Sequence, residues 1–281
     1  TIEANSGVFV LTATTGTYVE STAPTSYAQV ASGSWGMFSV VYNATDGDLE
    51  LSSITIGFDV STAAYSQDFS VTTQEIDPLG LAFNVDGTKM FVCGGTGDEV
   101  NEYALSTAFD VSTSVAVSVF SVAAQDTYPT AIEFNTDGTK MFILGNSGQD
   151  VNEYALATGF DVTTASFTGS FSVSAQEVTP QGLAFNTDGT KMFVLGVAAQ
   201  ALTAQAIAFS SDGTKMLIVD SNLGQVNEYA LSTGFDVSTA SFTDAFSVAA
   251  QDQTPTGLSF NTDGTKMFVI GNANDKVYEY S

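Results

Sequence analysis

The sequence predicts an all-β protein built from repeated four-stranded sheets, and three observations predict this class. The segment Asn-Thr-Asp-Gly-Thr-Lys-Met-Phe at 135–142 occurs five times with small changes, the strands around it are apolar on both faces, and the first and last copies are offset by one strand. The aspartates of the five copies are separated by 51, 51, 24 and 51 residues, and they are Asp86, Asp137, Asp188, Asp212 and Asp263.

One repeat shows how each sheet is predicted. Asp137-Gly138 stands between two apolar runs, which is a strong hairpin signal because glycine supplies the positive φ of the turn. A polar loop at 145–150 and a second loop at 159–162 separate the remaining runs. The repeat therefore predicts four antiparallel strands, at 130–135, 140–144, 151–156 and 166–173.

The side chains of the second strand predict how the sheets pack. Met141 and Ile143 point to one face, and Phe142 and Leu144 point to the other. A sheet that is apolar on both faces must lie between two neighbours. Repeated four-stranded sheets of this kind predict a β-propeller, and a right-handed solenoid is the alternative.

The ends of the repeat region favour the propeller. Residues 277–281 match the third strand at 151–155, so the last copy ends one strand short. Residues 58–71 match 160–173, which contain the missing fourth strand. This offset predicts a ring that is closed by an N-terminal strand.

The short spacing predicts one truncated blade. We expect five blades within residues 55–281, at 75–127, 128–178, 179–202, 203–254 and 255–281 joined with 55–74. Either the blade at 179–202 is truncated and has an open edge at 191–195, or about 27 residues are missing from the sequence; both explanations stay open. Residues 1–54 are expected to form a small β-rich attachment segment, with strands at 8–11, 35–42 and 49–54.

The charge balance excludes several partners. The chain has 31 acidic residues, six lysines, no arginine and no histidine, and its net charge is −25. Binding to nucleic acid or to an anionic membrane is therefore not expected, because both depend on basic side chains. High negative charge favours solubility and is consistent with an extracellular location. The single cysteine, Cys93, is aligned with apolar residues of the other copies and is expected to be buried.

The residue types also limit the chemistry. Without histidine there is no Ser-His-Asp arrangement, and without arginine there is no bidentate clamp for phosphate. We therefore expect no enzyme and assign no catalytic, cofactor-binding or metal residue, while the binding residues stay unknown. Calcium is possible, although the repeated turn lacks the closely spaced aspartates of calcium loops.

Three sets of recurring side chains are interpreted as structural. Asp137 and Lys140 are expected to face each other across the hairpin. The third-strand glutamates are expected to be solvated, and they are Glu102, Glu153, Glu228 and Glu279. The tyrosines that follow them are expected to pack between blades, and they are Tyr103, Tyr154, Tyr229 and Tyr280.

The segments at 134–143 and 151–154 resemble the repeats of YVTN-type propellers, and the resemblance covers residues 57–281. The repeat is longer than in that type, and its copies are unusually alike. The resemblance implies a propeller that serves as a surface-layer or adhesion module, as a scaffold or as an enzyme. Acidic repeat proteins rich in Thr, Ser and Gly are also similar to those of marine phage particles and bacterial surfaces.

The functional expectation is a non-enzymatic structural or adhesive propeller on an extracellular assembly, as a fibre or decoration protein of a phage or virus particle. The alternatives are a secreted or cell-surface lectin-like adhesin and a propeller enzyme such as a lactonase. The expected partners are other subunits of the assembly and host-surface glycans, with the N-terminal segment and the open edge as docking surfaces. The variable loops at 96–99, 146–150, 221–225 and 272–275 are the expected recognition elements.

Overall fold

The structure is a computed structural model that describes residues 57–196 and 203–281, together with the backbone of four earlier strands. The described strands are, in chain order, β1 (Ile2–Asn5), β2 (Val8–Leu11), β3 (Met37–Tyr42), β4 (Leu49–Thr55), β5 (Tyr65–Ser70), β6 (Pro78–Phe83), β7 (Lys89–Gly94), β8 (Glu99–Leu105), β9 (Ser114–Ser121), β10 (Pro129–Phe134), β11 (Lys140–Gly145), β12 (Asp150–Leu156), β13 (Ala165–Ser172), β14 (Pro180–Phe185), β15 (Met192–Gly196), β16 (Ala204–Phe209), β17 (Lys215–Asp220), β18 (Gln225–Leu231), β19 (Ala240–Ser247), β20 (Pro255–Phe260), β21 (Met267–Gly271) and β22 (Lys276–Tyr280). The only helices in the described residues are four single-turn 3₁₀ segments, and no described helix is long and apolar enough to span a membrane.

Four four-stranded antiparallel sheets form a propeller arrangement, which confirms the all-β class and the four-stranded repeat. We name them sheet I (β6–β9), sheet II (β10–β13), sheet IV (β16–β19) and sheet V (β20, β21, β22 and β5). In sheet V the strand from the start of the repeat region, β5, pairs with β22, and Phe69 lies opposite Val277. Of the described strands, sheet III contains β14 and β15 alone.

The first strand of each sheet lies innermost. Strand β6 contacts β10 and β20, strand β14 contacts β10 and β16, and β16 contacts β20. Residues of all these inner strands line a narrow central channel. The inner strands thus bring side chains that are distant in sequence to one axis.

The repeated turn is closed by its aspartate. The Asp137 carboxylate accepts the Thr139 backbone N–H at 3.0 Å and the Thr139 hydroxyl at 2.6 Å, and Gly138 has φ of 69°. These Thr139 hydrogen bonds hold the pKa of Asp137 below its ordinary value. The expected Asp137–Lys140 pair is wrong, because Asp137 closes its own turn and Lys140 lies 3.0 Å from Glu153 on the third strand.

The two faces of each sheet pack as predicted. Met141 and Ile143 lie in one buried cluster with Phe91 and Cys93 of sheet I. Leu144 packs with Leu183 of sheet III on the other face. Burial raises the pKa of the Cys93 thiol to about 12, which fits an unreactive core residue.

The chain divides into residues 1–35 and residues 36–281. The first unit contributes the β1–β2 hairpin, and the second contributes the β3–β4 hairpin ahead of the repeats. Strands at 8–11, 37–42 and 49–55 agree with the predicted ones. The predicted domain boundary after residue 54 stays a prediction, and residues 197–202 of the predicted truncated blade lie outside the described residues.

Candidate functional site

A single loop residue fills the boundary between sheets I and II. The Phe160 backbone N–H donates to the Gly138 carbonyl at 3.0 Å, and its ring packs 5.3 Å from Phe134 and 6.4 Å from Phe91 of sheet I. Phe160 has φ of 57°, an uncommon conformation for a bulky residue, which the packing of the ring offsets. The same position and φ recur in three other loops; we call these residues the boundary phenylalanines, Phe58, Phe109, Phe160 and Phe235.

The same loop joins the two sheets through a glutamate. The Val162 backbone N–H donates to Glu102 Oε2 at 3.2 Å, and Lys89 Nζ lies 2.6 Å from Glu102 Oε1. Lys89 also donates to the carbonyl of the boundary phenylalanine Phe160 at 2.6 Å. Lysine, glutamate and loop therefore form one connected set across the boundary.

This set recurs between sheets IV and V and between sheets V and I, with Glu228 and Glu279 in the place of Glu102. Loop coverage leaves these three glutamate side chains only 3 to 7% exposed. The expectation that they are solvated is wrong, because the loop of the neighbouring sheet covers the third strand.

The described residues do not fill the boundary between sheets II and III. Sheet III has two strands and supplies no such loop among the described residues, so the Glu153 side chain is 36% exposed and the Lys140 side chain 50% exposed. At Gly138 a Cβ would meet the Phe160 ring at 2.2 Å, whereas at Gly189 of sheet III nothing lies within 4 Å. We call this place the open boundary.

Two cavities lie in the open boundary. The first, which we call the turn-side cleft, has a volume of about 460 Å³ and lies between the turn at Asp137 and the turn at 186–189. The second, the outer groove, has a volume of about 420 Å³ and includes Glu153 and Met192 in its wall. Phe142 and Phe185 line both cavities. Both volumes fall in the range of small-molecule sites.

Glu133 is the charged residue that the inner strand β10 places beside the open boundary. The corresponding positions of the other inner strands hold only alanine or serine, at Ala82, Ala184, Ala208 and Ser259. Ala131 lies two residues before Glu133 and packs with Leu183 of sheet III. Since alternate residues of a strand share a face, Glu133 lies on the face toward sheet III.

Glu133 is half-buried, and its surroundings change its acidity. Desolvation raises the pKa of its carboxyl to about 8, and only the Phe134 backbone N–H acts in the opposite direction. The residue also lines the central channel. Its chain neighbour Phe134 and its cross-strand partner Phe142 both line the turn-side cleft. A carboxyl of this pKa can donate or accept a proton near neutral pH.

The turn-side cleft therefore combines groups of different chemistry. It has aromatic walls, the Lys140 ammonium and the polar turn residues Asn135 and Asn186, with Glu133 beside it. Sequence reasoning missed Glu133, although one signal was present: it is the carboxylate at a position where the other copies have a small side chain. The tyrosines predicted to pack are buried at Tyr103, Tyr154 and Tyr280, as expected.

The opposite, loop-bearing side of the sheets is strongly acidic, but its buried carboxylates hold the loops. Asp126 accepts the backbone N–H groups of Tyr128 at 2.6 Å and of Gly148 at 2.5 Å, and so fixes the loop predicted to vary. Burial, with the nearby charges of Asp252 and Asp77, raises the pKa of Asp275. Among the described residues there is no group of three or more His, Cys, Asp or Glu side chains that could hold a metal ion. The described residues therefore offer no site for the calcium considered above.

Comparisons with known proteins give structural likenesses alone. No family model and no curated protein match the chain, so the resemblance to YVTN-type repeats stays a prediction. A "putative 6-phosphogluconolactonase" from Bacteroides uniformis is 12% identical with a TM-score of 0.40, over 68% of this chain and 63% of its own. A second "putative 6-phosphogluconolactonase", from Bacteroides fragilis, is 13% identical with a TM-score of 0.41, over 86% of this chain and 72% of its own. The chain thus spans less than two thirds of the first of these proteins.

These comparisons correct the functional expectation. Both solved structures are each described as a "putative 6-phosphogluconolactonase", and neither description supports the expected structural or adhesive role. That expectation, together with the expectation of no enzyme, is therefore withdrawn. The absence of histidine and arginine does not exclude catalysis, because a carboxyl such as Glu133 can act as a general acid or base without either residue. At these identities and TM-scores the likeness assigns no activity, substrate or functional residue to this chain. The expected partners and the expected extracellular location of the chain stay predictions.

Proposed function

We propose that this protein is a propeller hydrolase that opens an uncharged lactone or related ester in the turn-side cleft, with Glu133 as its general base. The observation that carries the proposal is the position of Glu133. It interrupts a ring of small inner-strand residues beside the unfilled boundary, where a cavity of ligand size begins.

The proposed reaction uses one water molecule. The channel beside Glu133 has a cavity of about 20 Å³, which holds about one water. The Glu133 carboxylate takes a proton from this water while the water oxygen forms a bond to the ester carbonyl carbon. The ring C–O bond then breaks, and the proton passes to the leaving alkoxide, which gives a hydroxy acid. Lys140, whose side chain lines the turn-side cleft, supplies a positive charge for the carbonyl oxygen as that oxygen becomes negative.

The lysines support an uncharged substrate over a phosphorylated one. Lys89, Lys215 and Lys266 are each held by a glutamate and a boundary carbonyl, and Lys276 lies 3.0 Å from Asp68. Without arginine, a phosphate in the turn-side cleft would have only Lys140 as a cationic partner in the cleft wall. One ammonium in a chain of net charge −25 is a weak phosphate site.

Hydrolysis of a lactone panel tests the proposal. Proton release is measured with gluconolactone, butyrolactone and 6-phosphogluconolactone, for the protein and for Glu133→Gln. We expect hydrolysis of an unphosphorylated lactone that increases with pH up to about 8, as Glu133 loses its proton, and that falls at least 100-fold in the variant. Glu177→Gln, which changes a loop-side carboxylate that accepts the Thr179 N–H, is the matched control. No hydrolysis above background, or an undiminished rate in Glu133→Gln, would exclude the proposal.

We also propose that sheet III is a fifth blade reduced to two strands, and that β5 closes the ring. Contacts of β14 with β10 and β16, and the pairing of β5 with β22, support this. Deletion tests it together with the predicted boundary after residue 54. A chain that begins at residue 55 should keep cooperative unfolding, whereas one that begins at residue 75 lacks β5 and should lose it. Equal stability of the two would argue against closure by β5.

A further inference from the structure

The four sheets of the propeller show what is missing from the open boundary. We infer that this boundary is a docking site for a two-stranded hairpin of the chain's own repeat type, carried by another polypeptide. The hairpin corresponds to the outer half of a repeat, such as β12, the 157–164 loop and β13. The inference rests on side chains of sheets II and IV, on the two sides of the missing outer half of sheet III, that lack the partners their counterparts have.

The sheet II side requires a loop like that of Phe160. Glu153 accepts the Thr168 hydroxyl at 3.3 Å and pairs with Lys140, but no described backbone N–H reaches it as Val162 reaches Glu102. Lys140 likewise has no described boundary carbonyl. A docked loop would supply one N–H to Glu153 and one carbonyl to Lys140, and would place its phenylalanine over Gly189.

The sheet IV side requires a glutamate. In three loops the first valine of the 3₁₀ turn is at most 1% exposed, and its N–H donates to a glutamate of the preceding sheet; these are Val60, Val111 and Val162. The equivalent Val237 is 48% exposed, and no described glutamate accepts its N–H. Lys191 donates to the Phe235 carbonyl at 3.0 Å and lies near the charge of Asp236, but no described glutamate pairs with it as Glu102 pairs with Lys89. One glutamate on the docked strand would serve Val237 and Lys191 together.

The exposed aromatic residue of sheet II indicates which aromatic side chain the partner should carry. Phe120 and Phe246 each pack 5.5 Å from a tyrosine of the next sheet, Tyr154 and Tyr280 respectively. Phe171 holds the same position in sheet II and is 61% exposed. A tyrosine on the docked strand would cover Phe171. The outer edge of β15, which pairs with no described strand, would add a ladder of backbone hydrogen bonds.

These requirements define the partner by chemistry. Its first strand carries the Glu-Tyr pair of the repeat, its loop carries Phe-Asp-Val, and its acidic and amide groups complement Lys191 and Glu153. The docked phenylalanine would occupy the turn-side cleft, so docking would also block substrate; this consequence alone rests on the proposed hydrolase function. The hairpin does not come from the described repeats of a second copy, because those are already paired in their own sheets.

A peptide of residues 150–172 is the direct probe. We expect it to bind the intact protein in a 1:1 ratio by calorimetry and to raise the melting temperature. A peptide with Glu153→Lys and Phe160→Ala should bind at least tenfold more weakly. Phe171→Ser in the protein should have the same effect, and the exposed Val115→Ser on sheet I should not change binding. Binding is measured without substrate, so a failure of docking is distinguishable from a failure of hydrolysis.

A second experiment does not depend on whether the free peptide folds by itself. The sequence of residues 146–172 is inserted after Gly196, which restores a 51-residue spacing. We expect this protein to melt several degrees higher and to lose binding of the peptide. No peptide binding together with an unchanged or lower melting temperature would overturn the inference. A protein that dimerises by itself, and that Phe171→Ser makes monomeric, would also overturn it, because a second copy would then cover the boundary.

Discussion

The Glu102 carboxylate accepts the backbone N–H of Val162 at 3.2 Å, which links a strand of sheet I to the loop of sheet II, sixty residues further along the chain. Lys89 pairs with the same carboxylate. The equivalent Glu153 pairs with Lys140, but no loop N–H of the described residues reaches its carboxylate. The difference between these two glutamates marks the open boundary. It also predicts that a change of glutamate to glutamine lowers the free energy of unfolding more at Glu102 than at Glu153.

Glu102→Gln should destabilise the protein, because the buried carboxylate accepts a backbone hydrogen bond and balances Lys89. The expected loss is about 2 kcal/mol of unfolding free energy. Glu153→Gln removes the same charge from a more exposed pair and should cost less than about 1 kcal/mol. Urea unfolding of both variants checks the prediction. Equal losses would mean that the loop contact at Glu102 contributes little.

Two glycine substitutions should distinguish the stability lost by a clash with the boundary phenylalanine from the stability lost by backbone strain. Gly138 and Gly189 have φ of 69° and 70°, so alanine costs about 1 kcal/mol of strain at either one. At Gly138 the new Cβ also meets the Phe160 ring, which adds about 2 kcal/mol, whereas at Gly189 it meets nothing. Thermal unfolding should therefore show a larger loss for Gly138→Ala. A loss as large for Gly189→Ala would show that another group fills the open boundary.

The raised pKa of Glu133 predicts how stability changes with pH. The folded protein keeps this proton up to about pH 8, while the unfolded chain releases it near 4.5. The folded state therefore binds one more proton between these values, and stability falls as pH rises, by at most about 1.4 kcal/mol per pH unit. Glu133→Gln has no such proton. The stability of this variant relative to the original protein should increase from pH 4.5 to 8 and then level off; a difference independent of pH would contradict the raised pKa.

The hydrogen bonding of two buried tyrosine hydroxyls predicts that replacing each tyrosine by phenylalanine has opposite effects on stability. The Tyr103 hydroxyl is buried without a hydrogen-bond partner, whereas Tyr154 donates to the Gln125 side chain at 3.3 Å. Tyr103→Phe should leave stability unchanged or raise it by about 1 kcal/mol, because it removes an unsatisfied polar group. Tyr154→Phe should lower stability by about 1 kcal/mol. Denaturant unfolding of the two variants compares them, and a clear loss in Tyr103→Phe would indicate a bound water.

The local parts of the fold could be predicted from the sequence. The Asp137-Gly138 turn and the two apolar faces of the second strand follow from neighbouring residues, and the structure agrees with both. The pairing of β5 with β22 could also be predicted, because the repeats are nearly identical and their offset is visible in the alignment of copies.

The contacts between sheets could not be predicted in this way. Glu102 lies on an outer strand, and only the loop of the next sheet buries it. Glu133 is visible in the sequence as an exception among small residues, but its raised pKa depends on desolvation by the folded surroundings. The chemistry of the candidate site therefore arises from neighbours that are distant in sequence.

Both functional proposals depend on the half-repeat being absent after Gly196, and peptide mapping of the protein from its natural source tests this directly. Trypsin cleaves after Lys191 and Lys215, so the chain as it stands should release a single peptide of 24 residues, 192–215. Recovery of this peptide with its expected mass would establish the junction that leaves the boundary between sheets II and III open. A peptide longer by about 27 residues would show that the boundary is filled within the chain, and it would contradict both the cleft and the docking site.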